Sequence, residues 1–331
     1  MNADDIVVLS QSDLRAVMAF GDYVEAVADG FRQLAEGGSE APVPLHMSAR
    51  HGSFHVKAAT LARGSGYVAV KINGNFPDNR TRNGLPTIQG TVFLADAGNG
   101  RPLALLDSME ITLQRTGAAT AVAARHLARP DSRTATICGC GTQGPIQLIA
   151  LRHALDLRRV FAWDIDPRAA QRFAERMAAE TGLDVRAVET LSEASLSSDV
   201  IVTCTAANAP FLGIDDVRPG TFIAAVGADN PHKSEIHPAL MARARVVVDV
   251  LEQSVVMGDL HHAIAAGTMT AGDVHAELGA IVAGLRHGRQ TAEEITLFDS
   301  SGTGAQDVAA AAHAYERARA RGIGTLCALG S

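Results

Sequence analysis

The sequence predicts an α/β protein whose second half is built around a mostly parallel sheet. Between residues 134 and 300, apolar runs of strand length alternate with segments of helical periodicity, the pattern of parallel strands joined by crossover helices. A glycine-rich turn, GCGTQG at 139–144, joins the first strand to its helix. The strand candidates are 134–138, 160–163, 199–204, 221–226, 245–250 and 295–298, and the helix candidates include 145–157, 167–181 and 258–266.

The first third of the chain has a different pattern. A strand at 6–9 precedes a stretch, 11–36, in which apolar residues recur at helical spacing and predict one helix. A later helix at 109–127 ends before Arg129-Pro130-Asp131, and a last helix covers about 304–322. Between the first two helices, β-rich runs separated by Gly- and Pro-containing turns predict an antiparallel sheet, at 54–60, 67–73, 88–95 and 102–106.

These patterns predict two domains, which a length of 331 residues also favours. We expect residues 1–125 to form an α+β domain and residues 126–303 to form the parallel α/β domain. Residues 304–331, with the last helix, are expected to return to the first domain and complete it.

The composition argues against some classes of function. A net charge of −7 without a basic stripe argues against nucleic acid as a partner. No apolar run reaches the ~18 residues that a membrane-spanning helix needs, and the N-terminus carries acids where a signal peptide carries positive charge. The four cysteines form no CxxC pair, which fits reduced thiols. We therefore expect a cytoplasmic protein that acts on a small molecule.

The turn at 139–144 has the spacing GxGxxG. Gly139 suits a tight turn, Gly141 lets the backbone approach a pyrophosphate, and Gly144 lets the helix pack close to the strand. The helix N-terminus then directs unpaired N–H groups at the phosphates. About twenty residues later the second strand leads to Asp164, whose carboxylate can accept hydrogen bonds from ribose hydroxyls. The sequence therefore predicts a dinucleotide cofactor.

Asp164 also favours NAD over NADP. A carboxylate at the ribose repels the additional phosphate of NADP. Arg168, four residues later, could still reach that phosphate, so NADP remains the alternative. We expect further cofactor contacts from the turn and from residues after the later strands, namely Thr142, Gln143, Thr205, Val226, Lys233 and Ser300.

Other motifs follow in order along the chain: KINGNFPDN at 71–79, GLPT at 84–87, LQRTGA at 113–118, GADNPHKSE at 227–235, and FDSSG at 298–302 followed by Gln306-Asp307. With the glycine-rich turn they resemble the ornithine cyclodeaminase/μ-crystallin family over roughly residues 40–310. Its members are cyclodeaminases, amino-acid and opine-type dehydrogenases and ketimine reductases, which handle an amino acid or its imine beside a nicotinamide. The resemblance implies a Rossmann domain, an N-terminal domain whose sheet pairs across a homodimer, and a last helix that returns to that domain.

The resemblance also assigns candidate residues for the chemistry. Lys71 resembles the active-site lysine, Arg115 the arginine that binds the substrate carboxylate, and Thr87 a position that lines the pocket. An arginine fork suits a bidentate contact with a carboxylate. Asp229 resembles the catalytic carboxylate that exchanges a proton with the substrate nitrogen, and it follows a strand end where ligands bind in open α/β sheets. The alternative is an ordinary surface charge for Lys71 and Arg115, and a turn or helix cap for Asp229.

Two departures from the family pattern bear on the substrate. Many members carry a cation after a proline near position 45, where this chain has Leu45-His46, so His46 or Arg50 is the candidate replacement. Ornithine cyclodeaminases place a glutamate for the side-chain amine where this chain has His55, which would hold a second ammonium poorly. Lys57 either indicates a substrate with an additional acidic or polar group or is a solvent-facing strand residue.

The leading hypothesis is an NAD(P)-dependent ketimine reductase or amino-acid dehydrogenase. Arg115 and Lys71 would hold the amino or imino acid, with His46 and His55 also binding it, and Asp229 would manage the proton of the nitrogen as hydride moves. A cyclodeaminase, which uses NAD catalytically, is the first alternative. A non-catalytic binding protein, like some μ-crystallin relatives, is the second.

Two further groups of residues favour structural roles. His261, His262 and His275 lack a cysteine or carboxylate at a familiar ligand spacing, so no metal site is expected. Cys138 and Cys140 flank the first glycine of the turn without an evident partner base, which indicates small buried residues rather than nucleophiles.

Overall fold

The computed structural model describes residues 5–42 and 44–329. The chain divides into two compact units: a first unit, Met1–Ala118 with Thr303–Ser331, and a second unit, Ala119–Gly302. The first boundary lies within a helix, several residues before the position expected from the sequence. No helix in the described part of the chain is both long enough and apolar enough to cross a membrane.

The strands are numbered in chain order. They are β1 (Asp5–Leu9), β2 (Leu45–Ala49), β3 (Gly52–Leu61), β4 (Tyr67–Asn75), β5 (Ile88–Asp96), β6 (Pro102–Asp107), β7 (Thr134–Cys138), β8 (Arg159–Trp163), β9 (Asp184–Ala187), β10 (Val200–Thr203), β11 (Asn208–Leu212), β12 (Phe222–Ala225), β13 (Ser234–Ile236), β14 (Arg245–Val248), β15 (Ala276–Glu277), β16 (Thr296–Asp299) and β17 (Thr325–Ala328).

The helices are numbered in the same way. They are α1 (Gln11–Val17), α2 (Phe20–Glu36), α3 (Asn79–Asn83), α4 (Ser108–Leu127), α5 (Gly144–Ala154), α6 (Pro167–Thr181), α7 (Leu191–Leu196), α8 (Pro238–Arg243), α9 (Leu251–Ser254), α10 (Asp259–Ala265), α11 (Leu278–Val282) and α12 (Gly304–Arg321), with short 3₁₀ turns at Ile214–Asp216 and Ala271–Asp273.

The first unit is a sheet covered on one face by helices. Its strand order is β17-β1-β6-β5-β4-β3-β2, antiparallel except where β1 runs parallel to β6. The last helix, α12, packs on β3 and β4 and against α2. A Cβ atom at Gly30 of α2 would lie 2.9 Å from the carbonyl oxygen of Ala305 and 3.0 Å from the Cβ of Ala309, so glycine lets the two helices approach closely. The predicted completion of this α+β domain by the C-terminal helix is confirmed.

The prediction of one helix over 11–36 is wrong. Met18 and Ala19 have extended backbone angles, and α2 begins afresh at Phe20. The carboxylate of Asp22 accepts the backbone N–H of Ala19 at 2.8 Å, which satisfies a donor at a new helix start. The apolar periodicity continues through this break because both helices bury the same side, so spacing alone did not reveal it.

The second unit contains a parallel sheet with the order β15-β14-β16-β12-β10-β7-β8-β9. All six strands predicted between 134 and 298 are confirmed, and α6 begins and ends as predicted. Strand order reverses at β7, whose neighbours are β8 on one side and β10 on the other. In open α/β sheets ligands bind at the carboxyl ends of the strands beside such a reversal. The glycine-rich turn follows β7 and therefore lies at this edge.

Candidate active site

The glycine-rich turn connects β7 to α5. Gly139 has a φ of 102°, and a Cβ atom there would lie 2.9 Å from the carbonyl oxygen of Cys204. A Cβ atom at Gly144 would lie 2.7 Å from the carbonyl oxygen of Gly139 and 3.1 Å from the ring of Phe173. Both positions therefore require glycine, which keeps the turn tight and the helix close to the sheet.

The middle of this turn is open. Among the described residues, apart from Gly141 and its two chain neighbours, no heavy atom lies within 4 Å of a Cβ built on Gly141. Helix α5 begins at Gly144, and the side chain of Gln143 does not cap it. The N–H groups of the first turn are then available to an anion. An open glycine beside an uncapped helix start fits the pyrophosphate of a dinucleotide.

Asp164 follows β8 and lies beside the same turn. One of its carboxylate oxygens accepts the backbone N–H of Cys140 at 2.8 Å, and the other accepts the N–H of Asp166 at 3.0 Å. Each oxygen retains acceptor capacity for a hydroxyl group. The structure thus places a carboxylate, fixed by the backbone, where a dinucleotide ribose would require it.

Three other predicted cofactor residues follow neighbouring strands. Thr205 comes after β10, Val226 directly after β12, and Ser300 directly after β16. The N–H of Val226 donates to Thr203 and that of Ser300 to Ala225, both at 2.9 Å, so these residues extend the sheet. They lie along the same carboxyl edge as the glycine-rich turn, and their contact with a cofactor stays a prediction.

Glu235 joins two of these loops, a role that the sequence did not reveal. Its fully buried carboxylate accepts the backbone N–H of Thr205 at 2.6 Å and that of Gly227 at 2.9 Å. The hydroxyls of Thr203 and Thr205 each donate to it at 2.7 Å. Burial raises the pKa of Glu235 to about 7, the charge of Asp259 adds to the rise, and the threonine donors oppose it. Glu235 therefore fixes the loops that follow β10 and β12.

Asp229 lies exposed on the loop after β12. Its Oδ1 accepts a hydrogen bond from Nζ of Lys233 at 2.9 Å and one from the side chain of Asn230 at 3.3 Å. Lys233, which the sequence predicts as a cofactor contact, is paired with Asp229 in this structure. Its contact with the cofactor stays a prediction.

In the first unit, the register of the sheet places most of the predicted substrate residues on one face. His46 lies opposite His55, which lies opposite Asn73, and Lys57 lies opposite Lys71. Cross-strand partners and residues two positions apart point to the same side of a sheet. We call this side, which α12 covers farther along, the inner face.

Lys71 belongs to a buried charged cluster. Its Nζ lies 2.6 Å from Oδ2 of Asp307, and Nε of Arg115 lies 3.1 Å from Oδ1 of the same carboxylate. A guanidinium Nη of Arg115 donates to Oε1 of Gln306 at 2.8 Å. Lys71 is 3% exposed and Arg115 6%. Both cations are thus held by the first turn of α12, and neither is the surface charge that was the alternative interpretation.

The pKa values of this cluster follow from its burial and its excess of cations. The pKa of Lys71 is lowered to about 7, mainly by burial; the charge of Asp307 opposes this decrease, and the charges of Arg115 and Lys57 add to it. Burial by itself raises the pKa of Asp307, but Lys71 and Arg115 outweigh it and hold that pKa below its usual value. The protonation of Lys71 therefore changes near neutral pH, as acid–base catalysis requires.

The remaining predicted substrate residues lie farther from this cluster. The rings of His46 and His55 are in edge contact, with 4.6 Å between their centroids, and His46 is exposed. Thr87 precedes β5, five residues before Val92, the strand partner of Lys71. Five strand residues span roughly 16 Å. The place of Thr87 in a substrate pocket stays a prediction.

The model of the ornithine cyclodeaminase/mu-crystallin family matches residues 4–322 of this chain. The chain belongs to this family. Its predicted membership is therefore confirmed.

Solved structures of other members are similar to this chain over nearly its whole length. An archaeal alanine dehydrogenase dimer with bound NAD is 35% identical, with a TM-score of 0.92 and coverage of 98% of this chain and 99% of that one. The Δ¹-pyrroline-2-carboxylate reductase of Thermococcus litoralis, in complex with NADH and L-proline, is 34% identical, with the same TM-score and coverage of 97% and 99%. The iminosuccinate reductase of Paracoccus denitrificans, in complex with NAD⁺, is also 34% identical, with a TM-score of 0.92 and coverage of 98% and 100%.

These comparisons confirm the predicted fold class, enzyme class and nicotinamide cofactor. Within the family, the structure adds residues to which the sequence assigned no role. Gln306 and Asp307 were recognised as part of a motif, but their contacts with Arg115 were not foreseen. Glu235 likewise lies in a motif, at 227–235, but had no predicted role. For Gln306 and Asp307, the signal is a polar pair in the first turn of an otherwise alanine-rich helix. For Glu235, it is an acid directly before the apolar residue of a short strand.

The histidines and cysteines have local partners. His261 contacts the carbonyl oxygen of Val255, His262 that of Lys233, and His275 that of His287, and the rings of His261 and His262 are in edge contact. In residues 5–42 and 44–329, no group of three His, Cys, Asp or Glu side chains is arranged to hold a metal ion. Burial raises the pKa of Cys138 well above its usual value and that of Cys140 to about 12, which opposes a role as nucleophile. All four cysteines, at 138, 140, 204 and 327, are free thiols.

Proposed function

We propose that this protein is an NAD-dependent oxidoreductase that interconverts a small α-imino carboxylate and the corresponding amino acid. The observation that carries the proposal is the cluster of Lys71, Arg115 and Asp307. Two buried cations share one carboxylate, which leaves a positive charge ready for an anionic substrate. The same chain carries a dinucleotide turn with its acid, Asp164.

The residues present fit a bound nicotinamide dinucleotide. Gly139, Gly141 and Gly144 would admit its pyrophosphate, the start of α5 would bind the phosphates, and Asp164 would accept the ribose hydroxyls. When bound, NADH supplies a hydride and NAD⁺ accepts one. Asp164 supports NAD as the physiological cofactor rather than NADP.

The substrate carboxylate would bind Arg115 and Lys71. The fork of Arg115 is oriented by Asp307 and Gln306, and its other N–H groups suit a bidentate contact with a carboxylate. An ammonium at Lys71 would add a charged donor. Asp229 would give a proton to the substrate nitrogen during reduction and take it back during oxidation. Lys233 would keep the Asp229 carboxylate oriented through their 2.9 Å contact.

The experiment follows NADH absorbance with Δ¹-pyrroline-2-carboxylate, Δ¹-piperideine-2-carboxylate, and 2-oxo acids mixed with ammonia. The proposal predicts consumption of NADH with at least one of these imines. A cyclodeaminase would instead release ammonia from ornithine or lysine with catalytic NAD and no net change in NADH. A binding protein would do neither.

The side of the first sheet that lies opposite the inner face supports a homodimer. The opposite side of β2, β3 and β4 carries exposed apolar side chains, and we call it the outer face. It includes Leu45 (56% exposed), Met47 (43%), Phe54 (38%) and Ile72 (41%). A contiguous apolar surface of this kind is typical of a protein interface. We propose that a second copy of the chain covers it, in line with the archaeal alanine dehydrogenase dimer. The free thiols support the cytoplasm as the compartment.

A further inference from the structure

The start of α12 has the residue spacing of a capped helix end. Thr303 occupies the N-cap position, and Gln306 follows three residues later. In a capping box of this spacing, the N-cap hydroxyl accepts a backbone N–H of the first turn, and the later side chain accepts the N–H of the N-cap residue. Helix α1 forms such a box: Oγ of Ser10 accepts the N–H of Asp13 at 3.3 Å, and the carboxylate of Asp13 accepts the N–H of Ser10 at 2.9 Å. The same arrangement is therefore expected in α12.

The two side chains of α12 do not form this box, although both residues are at most 1% exposed. Thr303 makes no capping hydrogen bond, and its hydroxyl has no partner among the residues that the structure describes. Gln306 instead accepts a guanidinium N–H of Arg115 at Oε1, at 2.8 Å. Because arginine has donors only, this contact identifies the oxygen of the amide, and the other end is the NH₂ group. That NH₂ group likewise has no partner in residues 5–42 and 44–329. The helix start therefore carries two buried polar groups that are available to a ligand.

The backbone at this helix start has the same need. The first N–H groups of a helix have no partner within it, and a buried helix start requires partners from outside. Helix α12 is 18 residues long, and its dipole adds a partial positive charge at this end. A Cβ atom at Gly304 would collide with the carbonyl group of Ala58, so glycine lets the start of α12 lie directly against β3. Ala58 pairs with Val70, the chain neighbour of Lys71. The donors of the helix start therefore lie beside the cations of the site.

We propose that the start of α12 is part of the substrate site, where the Gln306 NH₂ group and the Thr303 hydroxyl donate to the substrate carboxylate. The inference deepens the proposed function and rests on it for the identity of the anion. The carboxylate of Asp307 does not serve these donors, because it contacts Lys71 and Arg115. A carboxylate has about four acceptor positions, so it can accept from an arginine fork and from these neutral donors together. The substrate would thus supply the helix cap that Thr303 and Gln306 do not, and the helix dipole would favour an anion over a neutral group.

The test compares the acid and amide forms of an amino acid, because only the acid carries the anion. L-Alanine and L-alaninamide, and L-proline and L-prolinamide, are titrated calorimetrically into protein saturated with NADH, which cannot react with them. The titrations are made below pH 7, where Lys71 is protonated. For at least one pair, we expect wild type to bind the acid at least about 30-fold more tightly than the amide.

Substitutions then separate the start of α12 from the two cations. Thr303→Val removes the hydroxyl without changing the shape of the side chain, so the acid should bind about tenfold more weakly while the amide changes much less. Thr303→Ser restores a hydroxyl and should restore binding. Gln306→Glu keeps the acceptor for Arg115 but places a negative charge where the NH₂ group was, so the acid should bind at least about 30-fold more weakly.

Thr190→Val, at the exposed N-cap of α7, which also lacks a capping hydrogen bond, is the matched control and should have no effect. Melting curves establish folding, and Thr303→Val should not lower the melting temperature, because the hydroxyl that it removes has no partner. Equal binding of acid and amide to wild type, wild-type affinity for the acid in both Thr303→Val and Gln306→Glu, or an equal loss for acid and amide would overturn the inference. The proposed function would stand if an imine is reduced. Acid-selective binding without reduction of any imine would retain the anion site and overturn the proposed function.

Discussion

At the scale of single residues, the charge state of Lys71 sets the pH range in which the site can bind an anion. Its pKa lies near 7, lowered from 10.5 mainly by burial, and the carboxylate of Asp307 prevents a further decrease. Below pH 7 the ammonium form predominates and attracts a substrate carboxylate. Above pH 7 the neutral amine predominates, and Arg115 alone carries the positive charge.

We expect kcat/KM for an imine carboxylate to fall as pH rises through about 7. In Asp307→Asn the negative charge that raises the pKa of Lys71 is lost, so the fall should move to lower pH by about 1 pH unit or more. The measurement is the pH profile of kcat/KM for both proteins, with melting curves at each pH to establish folding. Lys71→Met should lack this fall. A fall at the same pH in wild type and Asp307→Asn would contradict the role of Asp307.

Asp164 sets the cofactor preference in this account. Wild type should use NADH at least about tenfold better than NADPH in kcat/KM, because the carboxylate repels the additional phosphate. Asp164→Asn removes the charge and keeps one acceptor, for the N–H of Cys140, while its NH₂ group faces the N–H of Asp166. Without the charge, the ratio of the two kcat/KM values should approach one. Steady-state kinetics with both cofactors measures it, and Asp156→Asn, at an exposed position, is the control. An unchanged ratio would assign the discrimination to another residue.

The residues of the site were predictable only in part from the sequence. Lys71, Arg115 and Asp229 belong to motifs that identify the family. Their residue types and their order along the chain were therefore sufficient to select them as site residues. Asp307 also lies in a family motif, but the sequence gives it no role, because its contact with Lys71 joins positions 236 residues apart. No spacing rule relates such positions. Only the return of α12 to the sheet brings them together.

At the scale of elements, the loops after β10 and β12 are held by one buried carboxylate. Glu235 accepts a backbone N–H with each oxygen, from Thr205 and from Gly227. A glutamine at this position would direct its NH₂ group at one of these N–H donors. A Cβ atom at Gly227 would collide with the carboxylate, so the position of Glu235 requires glycine at 227.

Glu235→Gln should therefore destabilise the protein by about 2 kcal/mol, the cost of an unsatisfied buried polar group. It should also weaken binding of NADH, because Thr205 and the loop carrying Asp229 lose their anchor. Urea unfolding and fluorescence titration with NADH measure the two effects. Glu252→Gln, the same change at an exposed site on α9, should do neither. Stability equal to that of wild type would show that Glu235 does not anchor these loops.

Elements with end signals or with a continuous apolar run were predictable, and short elements with polar residues were not. Helix α6 has Asp166 as its cap, Pro167 in its first turn and Gly182 after its end, and the sequence gives its bounds. Strands β9, β13 and β15 have four residues or fewer and include polar side chains, so they lack the continuous apolar run that marks the equally short strands β10 and β12. Strand β2 was missed because its side chains are mostly exposed, and its place in the sheet depends on pairing with β3.

At the scale of the whole molecule, the apolar outer face predicts self-association. Wild-type protein should have twice the monomer mass in sedimentation, because a second copy would bury this face. The double variant Met47→Glu/Ile72→Glu places two charges in the centre of the face and should shift the mass to that of a monomer. Leu285→Glu, at an exposed apolar residue of the second unit, is the control. A dimer that withstands the double substitution would place the interface elsewhere.

The division into two units could be anticipated from a change of pattern near residue 130. Before it, β-rich runs follow one another and predict an antiparallel sheet; after it, strand and helix segments alternate and predict a parallel sheet. The outer face could not be anticipated. The alternation in the strands of the first sheet predicts two faces that are each partly apolar, but it does not indicate which face the helices cover. The position of α12 on the inner face decides it.

The most direct test of the central claim is hydride transfer to an imine carbon. The protein is incubated with NADH carrying two deuterium atoms at C4 and a reducible imine carboxylate, and the amino acid formed is analysed by mass spectrometry. Wild type should yield one deuterium at the α-carbon together with an equal amount of NAD⁺. Asp229→Asn should slow this reaction by about 10² or more without preventing NADH binding, because the proton donor is lost. Amino acid without deuterium, or no net NAD⁺, would contradict the account.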